Sequence, residues 1–130
     1  MMSGNEGNGP FILLVDDEEV IRMMGRDILR VLGYQVMLAS NGEETIKIYQ
    51  ENKDKIALVL LDWHMPGMKG AEILEKLWSI DDGVKVILAT GWGPPREMEQ
   101  IQKSGHTVGL LQKPYLVKDL QNAIAQYLAK

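Results

Sequence analysis

Five residues able to hold or exchange charge stand at the ends of apolar runs. Asp16 and Asp17 follow Phe11-Ile12-Leu13-Leu14-Val15, Asp62 follows Ala57-Leu58-Val59-Leu60-Leu61, Thr90 follows the run from Val84 to Ala89, and Lys113 comes just after Val108 to Leu111. Three carboxylates brought together would raise one another's pKa unless a cation sat among them. An all-oxygen donor set suits Mg²⁺, with its remaining positions filled by water or phosphate. Lys113 could pair with Asp62 at rest and with an added phosphoryl group later. Thr90 offers a hydroxyl, and Gly91 after it leaves room for a tetrahedral group to approach.

Composition excludes several other chemistries. The chain has no cysteine, which removes disulfides, thiolate nucleophiles and Cys-ligated zinc, and its two histidines share no metal-binding motif. A net charge of −4 without a dense basic cluster gives no attraction for a phosphate backbone, so no direct nucleic-acid partner is expected. No apolar run approaches the ~20 residues that span a bilayer, and the N-terminus lacks a secretory pattern, which predicts a cytoplasmic protein without a membrane partner.

The elements that must position these residues follow from hydrophobic period. A length of 130 residues, 45% apolar and 25% charged, predicts one globular domain over residues 10–130, preceded by a flexible leader at residues 1–9. Several apolar runs are apolar on both sides, as strands buried on both faces of a parallel sheet must be. Amphipathic stretches alternate with them, so the order reads β-α five times. Ile21, Met24, Ile28 and Leu32 keep one helical face, with Gly33 as C-cap. Val117, Leu120, Ile124 and Tyr127 repeat that spacing at the far end, whereas Met98 and Ile101 alone anchor the fourth helix. Val36-Met37-Leu38-Ala39, short and flanked by polar residues, predicts an edge strand.

Right-handed crossovers then lead to a flavodoxin-like, doubly wound α/β fold, (βα)5, with parallel sheet order 2-1-3-4-5. In that order strands one and three are neighbours at the topological switch point, so Asp16, Asp17 and Asp62 converge there. Singly, each residue has an ordinary explanation. Asp16 or Asp17 could cap the next helix, Asp62 and Thr90-Gly91 could be turn residues, and Lys113 could be a solvated lysine. Jointly, those explanations do not account for polar residues of complementary charge at four different strand ends.

The motifs Leu14-Val15-Asp16-Asp17-Glu18, Leu61-Asp62-Trp63-His64-Met65-Pro66-Gly67-Met68-Lys69-Gly70, Ala89-Thr90-Gly91 and Gln112-Lys113-Pro114 resemble, in order and spacing, those of receiver domains in response regulators and hybrid histidine kinases. The resemblance spans roughly Phe11 to Lys130. It implies that Asp62 is a phosphoacceptor, that Asp17, Asp62 and the backbone carbonyl of His64 ligate Mg²⁺, and that Asp16 contacts the metal through water. It further implies that Thr90 and Lys113 bind phosphoryl oxygens. The implied partner is a histidine kinase or histidine phosphotransfer protein, docking near helix one and the loop after strand five.

Several positions depart from the family pattern or give it a particular character. Leu110 stands where the family usually has an aromatic residue that reports phosphorylation, and Tyr115, beyond Pro114, does not replace it. His64 and Trp92 occupy positions that in the family tune access of the hydrolytic water, and their bulk predicts slow dephosphorylation. The chain between Gly105 and Lys113 is one residue longer than in many relatives, so the loop at His106-Thr107 is expected to bulge. Arg22, Arg26 and Arg30 lie along one side of helix one, either as a solvated face or as a means of choosing a partner.

Rival functions fit less well. A haloacid-dehalogenase-type phosphatase needs an Asp where His64 stands, and a flavodoxin-like carrier needs a phosphate loop where Asp16-Asp17-Glu18 would repel one. The remaining alternative is a receiver-shaped adaptor that works without phosphorylation. No large apolar stripe on the last two helices and fifth strand demands a partner, so a monomer or weak dimer is expected.

Overall fold

The computed structural model describes residues 9–129. Five strands alternate with five helices: β1 (Phe11–Val15), α1 (Glu19–Val31), β2 (Gln35–Ala39), α2 (Gly42–Asn52), β3 (Ile56–Asp62), α3 (Gly70–Ile80), β4 (Val86–Thr90), α4 (Met98–Lys103), β5 (Val108–Gln112) and α5 (Val117–Leu128). The strands pair in parallel in the order β2-β1-β3-β4-β5, the order expected from the sequence. No helix among the described residues is long and apolar enough to cross a membrane.

The runs are apolar on both sides because the sheet is covered on both faces. On β1, Leu13 and Val15 enter one core with Tyr49 of α2, Ile73, Leu74 and Leu77 of α3 and Ile101 of α4. Ile12 and Leu14 enter the other, with Leu29 of α1 and Leu120 and Ile124 of α5. β3 and β4 alternate likewise, so neighbouring residues of a strand serve opposite layers. The outer strand β2 is only partly buried except at Ala39.

Helix α1 departs from the periodicity reading by one residue. Its buried positions are Gly25 and Leu29, while Met24, expected inside, is 56% exposed. A Cβ at position 25 would lie 2.9 Å from Leu14 Cδ2 and 3.1 Å from the Tyr115 hydroxyl, so the helix approaches the sheet along a line that only glycine leaves open. Leu32 rather than Gly33 is the C-cap. Gly33 comes next, in the left-handed region at φ 102°, its N–H donating to the Arg30 carbonyl and that of Tyr34 to the Leu29 carbonyl. Those two bonds close the Schellman pattern that a glycine here permits.

Strand four starts at Val86, two residues later than its apolar run, because Asp81 to Val84 form a turn. In it Val84 N–H donates to the Asp81 carbonyl and Gly83 N–H to Asp81 Oδ1. Helix α4 has six residues with Ile101 as its buried contact, the slight anchoring expected. In α5, Leu120 and Ile124 are buried whereas Val117 is 48% exposed. Gly9, assigned to the leader by composition, is tied to the fold: its N–H donates to the Gly33 carbonyl and its carbonyl accepts from Gln35 Nε2. The rest of that leader lies outside the described residues.

Candidate functional site

The carboxyl ends of β1 and β3 sit side by side because Val15 pairs with Leu61. The next residues along each strand, Asp16 and Asp17 on one and Asp62 on the other, therefore meet, and carboxylate oxygens of the three lie within 4.8 Å of one another. Asp16 and Asp62 are buried while Asp17 is exposed, so the cluster opens to solvent on one side. Strand β4 adds Thr90, fully buried, and the end of β5 carries Lys113 across. Every site residue named from the sequence lies at this end of the sheet.

Lys113 Nζ stands 3.1 Å from Asp16 Oδ2 and 3.5 Å from Asp62 Oδ1, so the ammonium leans toward Asp16 more than toward its expected partner. Burial alone would lower the Lys113 pKa, but the hydrogen bond to Asp16 and the charges of Asp62 and Asp16 outweigh it and hold the group above its usual value. The Asp62 carboxyl is raised above the ordinary carboxylate range. Burial is the main cause, with Asp16 and Asp17 adding to it, while Lys113 and the His64 N–H pull the other way. A buried carboxylate crowded by two others and only partly balanced by one lysine is the electrostatic setting that a divalent cation relieves.

Local hydrogen bonds fix the loops. Asp16 Oδ1 accepts from the Glu18 N–H rather than capping helix α1 itself, for Glu18 occupies the N-cap without a side-chain bond. Arg22 Nη1 donates to the Asp16 carbonyl at 2.8 Å, so the first arginine of the helix-one series turns inward and braces this loop. Arg26 pairs with its neighbour Asp27. The His64 N–H donates to Asp62 Oδ1 at 3.2 Å while the His64 side chain is exposed.

The Thr90 hydroxyl does not face the carboxylates as a free donor. It donates to the Gly93 carbonyl at 2.7 Å, and Lys113 N–H donates to the Thr90 carbonyl. Sequence reasoning missed the Gly93 contact, since a backbone acceptor leaves no mark in residue type. A groove of about 290 Å³ opens between α1 and the loop after β5, where the family resemblance implies docking. Ile21, Met24, Gly25, Lys113, Pro114 and Tyr115 are among its walls, and Lys113 joins it to the carboxylates. The apolar Ile21 and Met24 on one side and Pro114-Tyr115 on the other were the available signals.

Comparison with known proteins gives one family. The model of the response regulator receiver domain matches residues 12–125. Sporulation initiation phosphotransferase F of Bacillus subtilis is 36% identical over 119 residues, covering 90% of this chain and 92% of that protein. A response regulator receiver domain protein of Clostridium thermocellum superposes with a TM-score of 0.82 at 31% identity, over 93% of this chain and 95% of that one. The response regulator TrrA of Thermotoga maritima, solved in complex with Mg²⁺ and BeF, gives a TM-score of 0.78 at 27% identity, over 92% and 99% of the two chains. Other curated relatives are sensor kinases, and the chain spans 12–14% of the length of three of them.

Proposed function

This chain belongs to the response regulator receiver domain family of two-component signalling, and from that premise we propose that it accepts a phosphoryl group on Asp62 from the phosphohistidine of a kinase or phosphotransfer protein. The observation that carries the reading is the convergence of Asp16, Asp17 and Asp62 within 4.8 Å, with Lys113 spanning Asp16 and Asp62. Three oxygen donors with one open side fit Mg²⁺, which keeps part of its water shell. Asp17, Asp62 and the His64 carbonyl would hold the ion directly and Asp16 through water. When bound it supplies charge neutralisation for the transferring group.

The chain's own groups then have separable tasks. The Asp62 carboxylate is the nucleophile, poor while protonated, and Lys113 favours its ionised form. Lys113 offers its ammonium to the incoming phosphoryl oxygens, and Thr90 offers its hydroxyl after exchanging the Gly93 carbonyl for one of them. Arg22 keeps the Asp16 backbone in place. The groove beside Lys113 is where a partner bringing its phosphohistidine to Asp62 would rest against helix α1. Leu110 lies on β5, so the aromatic readout usual in the family has no counterpart at this position. His64 and Trp92 flank the entry and slow the hydrolytic water.

The test is incubation with Mg²⁺ and a small phosphodonor, followed by intact-mass measurement. The expected result is a gain of one phosphoryl group that is lost in Asp62→Asn and on chelating the metal. A protein that gains nothing from any donor, yet still binds a kinase partner, would instead be a receiver-shaped adaptor.

A further inference from the structure

Trp92 is 88% exposed, the most exposed large apolar side chain among the described residues. A loose loop would explain this trivially, but the loop is tied on both sides of the indole. The Gly91 carbonyl accepts from Gln112 Nε2 at 3.2 Å, and the Gly93 carbonyl accepts from Thr90 Oγ1 at 2.7 Å. Gly93 turns the chain at φ 94°, and Pro94 and Pro95 stiffen the segment leading into α4. The indole is thus presented to solvent two residues from Thr90, by a backbone held at the carbonyls on either side of it.

Beside it opens a cleft of about 370 Å³ whose walls include Trp63, His64, Trp92, Pro94, Pro95 and Arg96. Trp63 and His64 follow Asp62 directly, and the Trp63 N–H donates to the Ala89 carbonyl, so the cleft adjoins the carboxylate cluster. Three of these walls, Trp63, His64 and Trp92, are flat aromatic rings, a lining suited to a planar group. Arg96 and Glu97, both on this cleft, bring charges of opposite sign.

Resting on the phosphoacceptor reading, we infer that Trp92 is a specificity-determining residue that stacks on the imidazole ring of the phosphodonor and makes the site prefer N-phosphorylated imidazoles over acyl phosphates. The Asp62 oxygen forms a bond to phosphorus while the phosphorus–nitrogen bond breaks, and its electron pair returns to the ring nitrogen. The reactive donor carries a proton on its far nitrogen, which it keeps, so the ring arrives as a cation and leaves neutral. A cationic planar ring is what an indole face attracts, by stacking and by cation–π interaction together. An acyl donor has no such ring.

The inference is tested by measuring phosphorylation rates, by intact mass at saturating Mg²⁺, with phosphoimidazole and with acetyl phosphate for the wild-type protein, Trp92→Ala and Trp92→Phe. Trp92→Ala is expected to slow reaction with phosphoimidazole by about three- to tenfold and reaction with acetyl phosphate far less, and Trp92→Phe is expected to restore most of the difference. Equal slowing with both donors, or none with phosphoimidazole, overturns the stacking role and leaves Asp62 as acceptor. A wild-type protein phosphorylated by neither donor overturns both.

Discussion

The two ends of the sheet are built on opposite terms. At the carboxyl end, Asp16 and Asp62 are buried together with one lysine between them, the Asp62 carboxyl is held protonated more readily than usual, and a tryptophan stands in water. At the amino end, polar groups are neutralised by neighbours that cost little. Asp81 accepts from the Tyr49 hydroxyl at 2.8 Å and from Gly83 N–H at 3.0 Å, and His106 covers Trp78 with rings 3.9 Å apart and 9° from parallel. The amino end pairs these groups locally, with the buried Trp78 N–H as the exception. The carboxyl end keeps charges unbalanced in a way that a cation and a phosphoryl group complete, so stability and chemistry are placed at opposite ends of the same strands.

Removing the lysine from the charged end should give the largest effect. Breaking a buried ion pair from one side costs about 3–5 kcal/mol, and because Lys113 keeps some contact with solvent, Lys113→Met is expected to lose about 2 kcal/mol at neutral pH. Urea denaturation followed by tryptophan fluorescence measures it. The deficit should shrink in acid, where the Asp62 carboxyl becomes neutral. An unchanged midpoint at pH 7 would show that the lysine does not balance these carboxylates.

Removing the acceptor's charge should act in the other direction. The folded Asp62 pKa lies above its ordinary 3.8, so between 3.8 and the raised value the native state binds more protons than the unfolded chain. Stability therefore falls as pH rises through that window and stays lower above it. Asp62→Asn keeps an acceptor for the His64 N–H and removes this penalty. Its melting temperature at pH 7 without Mg²⁺ is expected to be higher by roughly 2–5 °C, the scale of one favourable substitution in a domain of this size. The gain should vanish below pH 3.8, and a variant less stable than wild type at pH 7 would contradict the account.

Much of this contrast was legible in the sequence, and the exceptions share a cause. The five site residues could be placed because strand period and parallel order together decide which strand ends meet. The line on which α1 packs could not, because Gly25 has no side chain to register in a hydrophobic pattern, and its neighbours Leu14 and Tyr115 come from elsewhere in the chain. The Thr90 contact with Gly93 was hidden because its acceptor is backbone. The loop at His106, where a bulge was expected, forms a packed corner whose contacts the sequence did not signal. Its imidazole lies on Trp78, with Nε2 2.8 Å from Asp82 and Nδ1 3.0 Å from Ser104 Oγ. Pairing between loops distant in sequence leaves no periodicity to read.

That corner gives the smallest and most discriminating change. His106→Ala removes a stacked ring pair worth about 0.5–1.5 kcal/mol. Part of the loss should be returned, since the Trp78 N–H is buried without a hydrogen-bond partner and an opened corner lets water reach it. The contact with Asp82 adds little, because that carboxylate is 93% exposed and screened. The expected net cost is about 0.5–1 kcal/mol, read as a small fall in urea midpoint, with phosphoryl gain at Asp62 unchanged. A change in phosphorylation rate without a change in stability would mean that the amino end communicates with the carboxyl end, and the separation of stability from chemistry would fail.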